Sequence, residues 1–146
     1  MNLFTKSANA LAVILMSTGL TVGFAAQARA DYESFVLQSG FTPDPQTGSG
    51  LSGGPRYTED CGFIDSVDAP DHVIQLNESF DFLRAQASSN SDITLVIVGP
   101  DGRYCSDDAN GLMPEISGYW PAGTYEVWIG DWDGGGYRYE FSLSEF

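Results

Sequence analysis

Asp92, Asp107, Asp108, Asp131 and Asp133 are the residues of this chain whose type and spacing point to chemistry. Each stands at the edge of a β-like run, and counting the strand reversals between them brings all five to one end of the fold. Carboxylates gathered at one pole either coordinate a hard cation or repel one another. Calcium takes six to eight oxygens from carboxylates, backbone carbonyls and waters, a set that acidic loops supply, and Asn110 adds a neutral oxygen nearby. Two carboxylates about 5 Å apart repel by roughly 3 kcal/mol at an effective dielectric near 20, but by under about 1 kcal/mol when solvated. A tight cluster therefore needs a cation and a splayed one does not. Because Asp also favours ordinary turns, the sequence leaves both a calcium site and solvated turn aspartates open. The stretch Asp131-Trp132-Asp133-Gly134 invites an EF-hand reading, but Ser142 stands where the bidentate Glu belongs and the flanks read as strands. Any site must then be assembled from separate loops.

The elements that carry these loops follow from short runs of Val, Ile, Tyr, Phe and Thr recurring between Gly, Pro, Asn and Asp clusters, without sustained helical periodicity. A first strand covers Ser34 to Gln38, and Gly40 to Arg56, crowded with Gly, Pro, Ser and Thr, reads as a loop or linker. Further strands are expected at Gly62 to Asp65, His72 to Leu76, Phe80 to Ala87, Ile93 to Val98, Arg103 to Cys105, Glu115 to Trp120, Thr124 to Ile129 and Tyr137 to Leu143. Tyr137, Tyr139, Phe141 and Leu143 share one face of the last strand, whereas Ile93 to Val98 is apolar at most positions and suits a central strand covered on both sides. Eight or nine strands make an all-β, antiparallel, jelly-roll-like sandwich. If Phe80 to Ala87 ascends, the turns before Ile93, after Cys105 and after Ile129 all fall at the top.

Residues 1–30 read as a signal peptide, with Lys6, an apolar run from Leu11 to Ala26 and the small-x-small site Ala28-Arg29-Ala30, so cleavage is expected after Ala30. An uncleaved membrane anchor is the competing reading. Residues 31–60 then hold the first strand and loop, and 61–146 the sandwich core. Cleavage removes Lys6 and Arg29 and leaves 20 acidic residues against four arginines, a charge of −16. Nucleic acid and anionic lipid are excluded as partners, since their phosphates would repel such a surface. The acidity also fits solubility or a saline environment. Cys61 and Cys105, in an exported chain, are expected to form a disulfide and place the protein in the periplasm or outside the cell. Trp120, Trp128 and Trp132 suit core packing better than a sugar-stacking platform in so small a domain. The one histidine, His72, has no recognisable nucleophile partner and reads as an ordinary strand-edge residue, and no Gly-x-Ser-x-Gly elbow occurs. No catalytic residue is assigned.

Ser91-Asp92-Ile93-Thr94-Leu95-Val96-Ile97, Gly99-Pro100-Asp101-Gly102, Asp107-Asp108 and Pro121-Ala122-Gly123-Thr124-Tyr125, with Val127, Ile129 and Gly130, resemble the bacterial pre-peptidase C-terminal domain family. The resemblance spans about Phe80 to Leu143. It implies a jelly-roll-like sandwich in a secreted protein, usually beside a protease or other hydrolase, assisting secretion or substrate binding and sometimes carrying calcium. Asp92, Asp107 and Asp108 match that family's metal positions, whereas Asp131 and Asp133 rest on the strand count alone. The cysteine pair lies outside the family pattern. The expected function is a secreted, non-catalytic module that binds calcium and supports an exported protein or extracellular polysaccharide. A metal-independent carbohydrate-binding or protease-inhibitor-like module is the alternative, and a small hydrolase a second one.

Overall fold

The structure is a computed structural model that describes residues 33–146; the expected signal peptide, with cleavage after Ala30, falls outside the described residues. Eleven strands and no helix occur among the described residues. They are β1 (Glu33–Leu37), β2 (Gln46–Leu51), β3 (Arg56–Thr58), β4 (Gly62–Ile64), β5 (His72–Leu76) and β6 (Phe80–Ser89). After these come β7 (Ile93–Gly99), β8 (Gly102–Ser106), β9 (Glu115–Trp120), β10 (Gly123–Asp131) and β11 (Arg138–Ser144).

Seven strands form one sheet around β10, which pairs with β5 and β4 along one side and with β7 along the other; β8 extends β7, β1 extends β5 and β3 extends β4. The second sheet has the order β2-β11-β6-β9. The sandwich interior follows from period-two alternation: Ile93, Leu95 and Ile97 of β7, with Val127 and Ile129 of β10, join Leu83, Ala85, Phe141 and Leu143 from the opposite sheet in one buried cluster. Each large apolar side chain in it contributes about 1.5–3 kcal/mol by leaving water. Val96 and Trp128 point the other way, into a second cluster with Cys61 and Ile64 beneath the β3–β4 hairpin. Ile93 to Ile97 is thus buried throughout, as its continuous apolar run requires.

The stretch Gly40 to Arg56, expected as a loop, contains β2 and begins β3, which raises the strand count from the expected eight or nine to eleven. Gln-Thr-Gly-Ser-Gly-Leu carries almost no apolar signal because its packing is supplied by its neighbours. Gly50 lies opposite Tyr139, whose ring folds across it, so that a Cβ there would come within 2.6 Å of the Tyr139 hydroxyl. At Gly48 a Cβ would lie 2.9 Å from the His72 ring and 3.0 Å from Phe35. Large aromatics on the adjacent elements need glycine beneath them. The core also begins earlier than Cys61: Phe35, Leu37 and Phe41 are all buried in the main cluster.

Every pairing among β4 to β11 is antiparallel, while β1 joins β5 in parallel. The strand directions on which the acidic pole depends are therefore the observed ones. Three sheet-to-sheet crossings lie at that end: β6 to β7, β8 to β9 and β10 to β11.

Candidate functional site

Asp92 precedes β7 and Asp107 follows β8, and the β7–β8 register, with Leu95 opposite Ser106, carries the ends of these strands out side by side. Continued beyond the last pair, it brings Asp92 level with the Asp107-Asp108 turn. One carboxylate oxygen from each of Asp92, Asp107 and Asp108 lies within 4.8 Å of the others. Asp92 and Asp108 are exposed and Asp107 is partly buried. Asp107 Oδ2 accepts a hydrogen bond from Trp132 Nε1 at 3.2 Å, while Asp107 Oδ1 is buried without a partner. Desolvation, reinforced by the negative charges of Asp107 and Asp108, raises the Asp92 carboxyl above the usual range. Three converging carboxylates fit a hard cation, which would remove their mutual repulsion.

Cys105 stands two residues before Asp107, and its disulfide to Cys61 ties the end of β8 to the turn before β4, with Cα atoms 6.1 Å apart. Arg103 reinforces this tie through two hydrogen bonds to Asp60, at 2.5 and 2.9 Å. The acid-bearing turn is consequently anchored at its root.

The other two aspartates of the pole are placed differently. Asp131 is fully buried and does not join the three-carboxylate group. Its oxygens accept hydrogen bonds from Ser52 Oγ at 2.7 Å, Gly134 N, Gly135 N at 3.2 Å and Gly136 N at 3.3 Å. The β10–β11 crossing therefore winds around this carboxylate, and the positive φ angles of Gly134 and Gly136, 69° and 70°, let the backbone amides turn inward. Asp133 is exposed and accepts from Tyr137 Oη at 2.6 Å and Gly135 N at 2.9 Å, which together lower its pKa, the tyrosine contributing most. Both residues organise the loop that delivers Trp132 to Asp107. That relay needs a long-range contact that strand counting does not reveal.

Trp120 and Trp128 are 4% and 3% exposed and belong to different clusters, so the three tryptophans form no common platform. Trp132, 36% exposed, is the one at the surface. His72, read as a strand-edge residue, opens β5 but is buried, stacked on Phe141 at 4.8 Å between centroids and hydrogen-bonded through Nε2 to Tyr139 Oη at 2.9 Å. Burial lowers its pKa to about 4. Beside it Asp71 accepts from Ile129 N at 2.7 Å, and burial raises its pKa to about 7. His72 meets the Tyr139 hydroxyl, which burial holds in its protonated form, and Asp71 meets a backbone amide, so both serve the junction between β5 and β10.

No family model matches the chain. An uncharacterized protein of Synechococcus elongatus is 39% identical over 98 residues, covering 66% of this chain and 72% of that protein. Among solved structures, the pre-peptidase C-terminal domain of collagenase from Bacillus anthracis matches with a TM-score of 0.52 at 16% identity, over 78% of this chain and 95% of that one. The periplasmic g-type lysozyme inhibitor PliG of Aeromonas hydrophila matches at a TM-score of 0.41 and 11% identity, over 77% of this chain and 96% of that one; a likeness that loose carries no argument. The chain belongs to the same family as the Synechococcus elongatus protein, and it has the fold of the pre-peptidase C-terminal domain.

Proposed function

We propose that this protein is an exported, non-catalytic β-sandwich module that holds a calcium ion at Asp92, Asp107 and Asp108 and supports an exported protein or extracellular polysaccharide. The observation that carries the reading is the convergence of one carboxylate oxygen from each of Asp92, Asp107 and Asp108 within 4.8 Å. Calcium bound there would cross-link the β6–β7 and β8–β9 crossings and, through Trp132, brace the β10–β11 loop. Export is supported by the Cys61–Cys105 disulfide and by the leader-like residues 1–30. The alternative of sugar stacking on the tryptophans loses support because two of the three rings are buried. A hydrolase has less, since the perturbed His72 and Asp71 are structural. Thermal unfolding in calcium and in chelator tests the reading: saturation at about one hundred times the dissociation constant adds about 2.7 kcal/mol to stability. Superimposable curves would remove the metal.

A further inference from the structure

At the opposite end of β7 and β8 the seam between the two sheets opens. β8 and β9 are each paired on one side only, and between them lies a cleft of about 140 Å³ walled by Tyr104, Tyr119, Trp120 and Tyr125, with Ser117 and the exposed Asp101. That is below the roughly 300–1,000 Å³ of sites for whole drug-sized ligands and suits a head group. Ile97 and Ile116 complete the lining, and the walls are pre-set. Tyr125 Oη donates to Pro121 O at 2.7 Å, its ring lies against Gly99 where a Cβ would collide with it, and Trp120 packs on it with centroids 4.9 Å apart. Tyr104 Oη donates to Asp101 Oδ2 at 2.9 Å, which fixes that carboxylate beside the aromatic faces and leaves Oδ1 open. Tyr104 and Tyr119 remain 42% and 62% exposed.

Charge selects the ligand. No basic side chain lines the cleft, and among the described residues Asp101 has no ion-pair partner, the nearby Arg103 being engaged by Asp60. An anion would meet an uncompensated carboxylate on a chain of net charge −14. A neutral sugar would use the aromatic faces but gain little from the charge. A cation uses both, because the accessible faces of Tyr104 and Tyr119 present negative potential and the open carboxylate oxygen accepts charge-assisted hydrogen bonds.

We propose that Asp101 and the exposed rings of Tyr104 and Tyr119, backed by the buried Trp120 and Tyr125, bind an organic cation at this cleft, the guanidinium or alkylammonium head of a basic side chain or of a free amine. This site is separate from the carboxylate triad and does not rest on metal binding. Titration of the purified protein with N-acetylarginine amide, followed by tryptophan fluorescence and calorimetry, tests it against N-acetylcitrulline amide, an uncharged isostere. The arginine probe saturates, and the citrulline probe binds roughly tenfold more weakly or not at all. Asp101→Asn weakens arginine binding about tenfold and Tyr119→Ala about threefold. Both positions are exposed, so melting profiles stay near wild type. Tighter binding of an arginine-containing peptide than of butylammonium assigns the cation to a partner protein, and the reverse order assigns it to a free amine; each order supports the site. Equal affinity for arginine and citrulline probes, an Asp101→Asn variant that binds normally, or no saturation with any cation would overturn it.

Discussion

Removing the disulfide tests whether the cross-link both stabilises the domain and positions the acidic turn. Cys61 and Cys105 are separated by 44 residues, and closing a loop of that size lowers the entropy of the unfolded chain enough to stabilise the fold by about 4 kcal/mol in the chain-entropy model. A small domain has roughly 5–15 kcal/mol in all, so the double Cys61→Ala, Cys105→Ala variant should stand close to the limit of folding. Cys61 is fully buried beside Ile64, Val96 and Trp128, and alanine there also loses sulfur contacts, which moves the figure upward. Urea unfolding followed by tryptophan fluorescence measures it. The expected result is a midpoint lower by the equivalent of about 4 kcal/mol, with a steeper denaturant dependence because the uncrosslinked unfolded chain exposes more surface. Cys105 lies two residues before Asp107, so calcium affinity should fall in the same variant even where it remains folded. A loss of under about 1 kcal/mol with an unchanged slope would refute the entropic argument.

Asp131→Asn should destabilise the protein by roughly 2–3 kcal/mol, since one of the two carboxylate oxygens that accept from Ser52 and three backbone amides is replaced by a donor. Because Asp131 stands outside the triad, one calcium should still bind to the folded variant; a folded Asp131→Asn protein that no longer binds the ion would contradict its exclusion from the ligand set. The pH profile carries a second prediction. His72 has a folded-state pKa depressed to about 4, so its contribution is present above its unfolded value and is lost as pH falls from about 6.5 to 4, at an order of about 3 kcal/mol. Asp71 is raised to about 7, so its contribution is present at low pH and is lost as pH rises from about 4 to 7, by roughly 2 kcal/mol after allowance for partial exposure. These slopes oppose each other, and Asp71→Asn should unmask the histidine, giving stability that rises from pH 4 to 6.5 relative to wild type in denaturant titrations. A difference curve without slope would show that Asp71 is not protonated in the folded state. Gly50→Val should cost roughly 1–3 kcal/mol by displacing the Tyr139 ring, and a melting temperature equal to wild type would refute that packing.

Much of the sandwich was legible because alternation and apolar runs are local. Tyr139, Phe141 and Leu143 fall on one buried face and Ile93 to Ile97 is covered on both, as their patterns require. β2 was invisible for the complementary reason: its glycines carry no packing signal of their own and acquire one only from Tyr139, His72 and Phe35, remote in sequence. At the acidic pole, strand parity placed the loops at a common end, but direction does not fix where a side chain turns. Asp92, Asp107 and Asp108 share a hairpin register and meet. Asp131, the last residue of its strand, turns into the protein to collect glycine amides. The Tyr104–Tyr119–Tyr125 cleft combines three strands from two sheets, a juxtaposition that no local pattern announces.

Calorimetric titration of calcium into chelator-treated wild-type, Asp107→Asn and Asp133→Asn proteins measures the central claim most directly. Wild type and Asp133→Asn should each bind one ion, and Asp107→Asn, lacking one oxygen of the triad, should lose at least about tenfold in affinity. Wild type without a binding isotherm, or Asp107→Asn with undiminished affinity, would contradict a cation held by Asp92, Asp107 and Asp108.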